Sequence, residues 1–250
     1  MSTTAARPVR PSDRPAEPVA GDRFVAGAML TVVALLIAVQ VLAGHLIAPL
    51  TIFSLIYLGL GLAIGWRRSR WLLGVIIVLT LVHLGGSIPF IVANLAHPES
   101  PASFIFEAVS GLAVLTVFVG AILGLRSGHP AVNRRPVALA AGGLAAAAVV
   151  VSLVAASGVD SESQQPGDVP VEAIHSTFPA HIEVPAGEAA LWIDNRDPFH
   201  HTLVVEGTEL KVDLPGSTAV RMPIALEPGT YRYFCDVPGH ETMAGELDVR

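Results

Sequence analysis

The sequence predicts a chain in two unlike parts, a bundle of five membrane-spanning helices followed by a small domain built of β-strands. Three observations predict it. Hydrophobic residues fill 52% of the 250 positions and charged residues only 14%, far more apolar sequence than one soluble domain of this size carries. The excess is confined to the first part of the chain, where it divides into five stretches of spanning length. Beyond them the pattern changes to the alternation of half-buried strands, as in His201–Glu206 and Tyr231–Cys235.

Residues 1–23 are polar and rich in proline and read as a disordered cytoplasmic tail. The apolar run that follows is too long, and starts too far into the chain, for a cleaved signal peptide. Residues 24–157 form the transmembrane domain, with helices expected at 24–44, 48–66, 71–96, 102–125 and 137–157. The joint Gly44-His45-Leu46-Ile47-Ala48-Pro49 is short, yet 24–66 is too long for one span, so a tight hairpin is expected there.

Arginine placement orients the bundle. Arg7, Arg10, Arg14 and Arg23 precede the first helix; Arg67, Arg68 and Arg70 separate the second and third; Arg126, Arg134 and Arg135 separate the fourth and fifth. The other joints, around Gly44–Pro49 and His97–Pro101, hold neither Arg nor Lys. Short positive segments face the cytoplasm, so five crossings put the C-terminal domain on the outer face of the cell membrane.

Within the bundle, His45, His83 and Glu107 are the ionisable candidates for a haem, quinone, proton or metal site, because such groups are costly inside a bilayer. Gly85-Gly86-Ser87-Ile88-Pro89 is expected to loosen or kink the third helix. Gly59, Gly61, Gly65, Gly111, Gly120 and Gly124 are expected to let helices pack closely. Residues 158–170, rich in Ser, Gln, Gly and Asp, read as a flexible linker, and 171–250 as the C-terminal domain.

That domain holds the only cysteine, Cys235, in Tyr233-Phe234-Cys235-Asp236-Val237-Pro238-Gly239-His240-Glu241-Thr242-Met243, with His200 and His201 upstream. A turn through Pro238 and Gly239 folds Cys235, His240 and Met243 toward one point. A thiolate, two imidazoles and a thioether form the soft, asymmetric donor set that suits copper changing oxidation state; structural zinc sites are usually closed sets of Cys and His. Strand parity selects between the upstream histidines. Glu206 should face water and take His200 and Thr202 outward with it, leaving His201, Leu203 and Val205 inside. In Tyr231–Cys235, Arg232 faces out and Cys235 in.

At these residues the chain resembles the cupredoxins, the type 1 blue copper proteins. The landmarks are Val184-Pro185-Ala186-Gly187, Asp194-Asn195-Arg196-Asp197-Pro198-Phe199-His200-His201-Thr202-Leu203, Glu227-Pro228-Gly229-Thr230-Tyr231 and the Cys235 loop. The resemblance implies an all-β Greek-key sandwich holding one copper ion on His201, Cys235, His240 and Met243. It also implies that the Thr202 backbone donates toward the Cys235 sulfur, that Asn195 ties the His201 loop to the ligand loop, and that electrons pass through His240.

Two functions compete on this reading. One is a membrane-anchored blue copper protein that transfers single electrons; the other is a copper-binding protein for uptake, handling or oxidase assembly. An oxidase or reductase needs further histidine clusters, and His175, His181 and His200 are scattered, so an enzyme is not expected. From Asp160 onward 16 acidic residues face 5 basic ones, a net charge of about −11. A redox partner with a basic face is expected, besides the lipid bilayer, and no nucleic acid.

Overall fold

The computed structural model describes residues 20–67, 69–126 and 135–250. The expected cytoplasmic tail lies outside the described residues except for Ala20–Arg23, as do Arg68 and Arg134. Five helices come first: α1 (Ala20–Ala43), α2 (Ala48–Trp66), α3 (Arg70–Leu95), α4 (Pro101–Arg126) and α5 (Arg135–Ala156). All five are long and apolar enough to cross a membrane. At 1.5 Å per residue they span roughly 28 to 39 Å, enough for a hydrocarbon core of about 30 Å.

Local chemistry sets the breaks. Gly44, with φ of 73°, turns the chain after α1, and Pro49 fits the first turn of α2, where no intrahelical N–H is needed. Ser69 caps α3 by accepting from the Leu72 N–H. Pro89 lies inside α3, which continues past it to Leu95.

α4 packs against α1, α3 and α5, while α1 also lies along α2. Their shared core includes Met29, Leu36, Tyr57, Ile64, Leu73, Ile76, Val114 and Val117. Gly61 and Gly120 admit close neighbours, Met29 at the first and Phe24 and Val25 at the second, and Gly65 faces Ala26. Gly59 and Gly111 do not serve this purpose, since a side chain at either would meet nothing within 4 Å. Leu55, Leu62, Val78, Leu81, Val92, Leu139 and Val150 point outward, giving the bundle an apolar exterior.

Eight strands follow: β1 (Val169–Ala173), β2 (His181–Val184), β3 (Gly187–Asn195), β4 (His201–Val205), β5 (Lys211–Leu214), β6 (Thr218–Leu226), β7 (Gly229–Phe234) and β8 (Ala244–Val249). They form a three-stranded sheet, β1-β3-β6, and a five-stranded sheet, β2-β8-β7-β4-β5. β1 runs parallel to β3 and β2 to β8; the other pairs are antiparallel. The core between the sheets draws alternate residues from each, among them Val171, Ile182, Leu191, Ile193, Leu203, Val205, Tyr233, Leu247 and Val249.

The β region is seated on the end of the bundle formed by the α3–α4 joint. The His200 N–H donates to Ser103 Oγ at 2.9 Å and the Gly216 N–H to Ser100 Oγ at 3.2 Å. Ser152 near the end of α5 donates to the Pro98 carbonyl at 2.6 Å, which draws the origin of the β region to the same joint.

The segment expected as a flexible linker is instead bonded along the three-stranded sheet. The Glu162 N–H donates to the Ala219 carbonyl, the Ala219 N–H to Ser161 Oγ, and Trp192 Nε1 to the Glu162 carbonyl. Arg221 holds Asp168 at 3.0 Å. Composition favoured a free tether; the unpaired edge of β6 and the indole N–H supply partners that composition does not reveal.

Candidate metal centre

The ligand loop is closed by its own backbone. The Cys235 N–H donates to the Met243 carbonyl at 2.9 Å, the Met243 N–H to the His240 carbonyl at 2.8 Å, and the His240 N–H to the Val237 carbonyl at 3.0 Å. Gly239 takes a φ of 86°, a left-handed turn that glycine adopts without strain. Cys235 at the end of β7 and His240 across this turn are thereby aimed at His201, the first residue of β4 and wholly buried.

His201 Nδ1 lies 3.0 Å from His240 Nδ1 and 4.0 Å from Cys235 Sγ, and His240 Nδ1 lies 3.6 Å from Cys235 Sγ. A metal about 2.0 Å from each nitrogen and about 2.3 Å from the sulfur, in a trigonal plane, separates its donors by roughly 3.5 to 3.8 Å. The observed triangle brackets those values. Met243 is completely buried in the same core as Cys235.

Asp197 is a residue that the sequence reading passed over. Its Oδ2 lies 3.0 Å from His201 Nε2, which holds a proton on that nitrogen and makes Nδ1 the atom turned toward Cys235 and His240. The carboxylate is fixed by the N–H groups of His175 and Ser176, each at 2.7 Å. Both donors have φ near 53°, so two successive left-handed residues form a small anion cradle. The available signal was an acid four residues before the histidine; it lay hidden in a turn.

Thr202 stands beside Cys235. Its N–H points at Cys235 Sγ at 3.4 Å, while its hydroxyl donates to Asp236 Oδ1 at 2.7 Å and accepts from the Asp236 N–H. Lys211 holds the other oxygen of Asp236 at 2.7 Å. Asn195 does not reach the ligand loop. Its side-chain amide spans the carbonyls of Phe199, Leu214 and Pro215, tying the His201 loop to the end of β5.

Electrostatics favour the thiolate. Burial alone raises a thiol, but hydrogen bonds from His201 and His240 and from the backbone of Thr202 and Val237 outweigh it and hold Cys235 at about 5. Burial opposes charge on His201, yet Asp197 and Cys235 raise its pKa above the usual imidazole value. A negative sulfur beside two imidazoles is a cation site by its chemistry.

His200 departs from the expected exposed position, being only 2% accessible. Parity does send it away from the β core, but the α3–α4 joint covers it. The His97 ring stacks on it with centroids 3.9 Å apart. Burial, and then the neighbouring His97, lower its pKa to about 4, so it is a neutral imidazole.

The membrane candidates do not converge. His45 Nδ1 faces the Ala43 carbonyl at 3.0 Å, His83 Nδ1 pairs with the Tyr57 hydroxyl at 3.2 Å, and Glu107 is hydrogen-bonded to Asn94. No metal-capable cluster among the described residues includes any of them, and nothing supports a haem or quinone.

Residues 144–249 match the family model described as a cupredoxin-like domain, a span that takes in the last turns of α5. The sandwich and its ligand loop are therefore a cupredoxin-like domain, and five apolar helices precede it. No curated protein sequence matches the chain. A reduced amicyanin mutant is 21% identical, covering 35% of this chain and 87% of its own, with a TM-score of 0.30. A copper binding protein in the apo form, solved in solution, is 21% identical over 35% of this chain and 93% of its own, with a TM-score of 0.30. The copper-containing nitrite reductase from Thermus scotoductus SA-01 is 23% identical over 37% of this chain but only 24% of its own, with a TM-score of 0.27. The fold implies copper binding, and His201, Cys235 and His240 are the group that fits it.

Proposed function

We propose that this protein is a membrane-anchored blue copper protein that transfers single electrons at the outer face of the cytoplasmic membrane. The observation that carries the reading is the convergence of Cys235 Sγ with the Nδ1 atoms of His201 and His240 between 3.0 and 4.0 Å. Copper bound there supplies a one-electron couple between its two oxidation states.

The chain's own residues set the terms of that couple. Cys235, His201, His240 and Met243 would hold the copper ion. Asp197 fixes the His201 tautomer, and the Thr202 N–H withdraws charge from the sulfur. The backbone ties across the ligand loop hold the donors in place. His240 is only partly buried, so its ring is the edge through which electrons pass. The arginine pattern supports an external copper domain, and its acidic surface supports a partner with a basic face.

The test is the optical and paramagnetic resonance spectrum of the full chain in detergent after loading with Cu(II). The expected result is an intense visible thiolate charge-transfer band that is lost in Cys235→Ser and kept in His200→Ala. A colourless, rapidly exchanging metal would overturn electron transfer in favour of copper handling.

A further inference from the structure

Each of the basic side chains in the C-terminal domain, Arg196, Lys211, Arg221, Arg232 and Arg250, meets a carboxylate. Among the described residues, only the Lys211 pair uses a carboxylate next in sequence to a member of the Cys235, His201 and His240 triangle. Lys211 is also the only lysine in the chain.

Its partner, Asp236, is held at both oxygens. Lys211 Nζ donates to Oδ2 at 2.7 Å, and the Thr202 hydroxyl donates to Oδ1 at 2.7 Å. The Asp236 N–H returns a bond to the Thr202 oxygen at 2.9 Å. That same oxygen lies 3.6 Å from Cys235 Sγ, and the Thr202 N–H points at the sulfur from 3.4 Å. A hydroxyl has one proton to give, and the shorter contact sends it to the carboxylate rather than to the sulfur. Strand pairing builds the chain. Lys211 on β5 lies opposite Val204 on β4, so it shares a sheet face with Val204 and with Thr202 two residues before it. Lys211, Asp236 and Thr202 thus form a continuous line from the surface to the thiolate.

The ion pair does little for stability. Lys211 and Asp236 are 49% and 38% exposed, and pairs this open contribute little to folding. What the pair changes is the field at the sulfur. The domain carries 16 acidic residues against 5 basic ones from Asp160 onward, and an uncancelled carboxylate beside Cys235 favours the higher charge of Cu(II) over Cu(I). Resting on the blue copper reading above, we propose that Lys211 is a positioning residue of the metal centre: it holds the Asp236 carboxylate on Thr202 and cancels its charge beside the sulfur, and so keeps the reduction potential higher than the acidic domain alone would set it.

The test is the midpoint potential of the copper-loaded full chain in detergent, with the thiolate band reporting an intact site. Lys211→Met should shift the potential downward and keep the band, and added salt should narrow the gap to the wild type. Lys211→Arg should stay at the wild-type potential. Lys211→Met combined with Asp236→Asn loses both charges and should return toward it. In the metal-free chain, Lys211→Met should speed hydrogen exchange at the Asp236 amide while that of Leu203 stays slow. A potential or an Asp236 exchange rate that Lys211→Met leaves unchanged, or a drop in potential that the double variant does not reverse, would overturn the proposal and leave the blue copper reading standing. A wild type without the thiolate band would overturn both.

Discussion

At the scale of single residues, Asp197 and Cys235 carry the sharpest consequences. Asp197→Asn keeps the shape but removes the charge that holds the His201 proton, so copper affinity should fall about 10- to 100-fold, read by competition against a chelator. The thiol sits at about 5, so the metal-free chain should show thiolate absorbance down to that pH and none in Cys235→Ser. The folded pKa lies below the usual thiol value. Its contribution to stability is therefore complete above the unfolded thiol pKa and lost as the pH falls through about 5. Thermal unfolding of the metal-free protein across that window should show the slope, flattened in Cys235→Ser. His201, raised in pKa, has to release a proton on binding, which calorimetry in buffers of different ionisation enthalpy measures. Cys235 and His240 were legible because they sit five residues apart around a Pro-Gly turn. Asp197 was not, because its role depends on a cradle formed by His175 and Ser176, distant in the chain.

At the scale of elements, the sandwich is held by contacts that leave no room for side chains at two glycines. Gly245 on β8 pairs with Tyr233 on β7, and a Cβ there would run into the Pro179 carbonyl and the Tyr233 ring. The Tyr233 hydroxyl donates to that same carbonyl, so the three groups form one joint. Gly245→Ala should destabilise the domain by about 1–3 kcal/mol in thermal unfolding, because neither neighbour is a flexible chain end. Gly216 meets the Pro198 carbonyl in the same way, under the His201 loop. The helices were readable from the sequence because an apolar run of spanning length leaves few alternatives. Strand parity was readable for the β core, as His201, Leu203 and Val205 show. It failed for His200 because parity states only which side of a sheet a residue takes, and a separate element covers that side. The same limit explains the linker, whose partners on β3 and β6 are remote in sequence.

At the scale of the whole molecule, the cupredoxin-like domain is seated on the α3–α4 joint by two backbone donors, a ring stack and the ligand loop itself. Phe90, in α3, approaches the position of a Gly239 side chain to within 3.1 Å, immediately beside His240. Replacing the two acceptors, as Ser100→Ala with Ser103→Val, should speed hydrogen exchange at the Gly216 and His200 amides while that of Leu203 in the sandwich core stays slow. The hydrophobic pattern foretold two parts, but not that they touch; no periodicity records serines waiting for amides 97 and 116 positions on. The seat changes the problem that a redox partner faces. A domain swinging on a leash offers its metal at every height and tilt. This one, on the proposed topology, holds His240 at a single distance from the bilayer, so a partner anchored in the same membrane searches a plane rather than a volume.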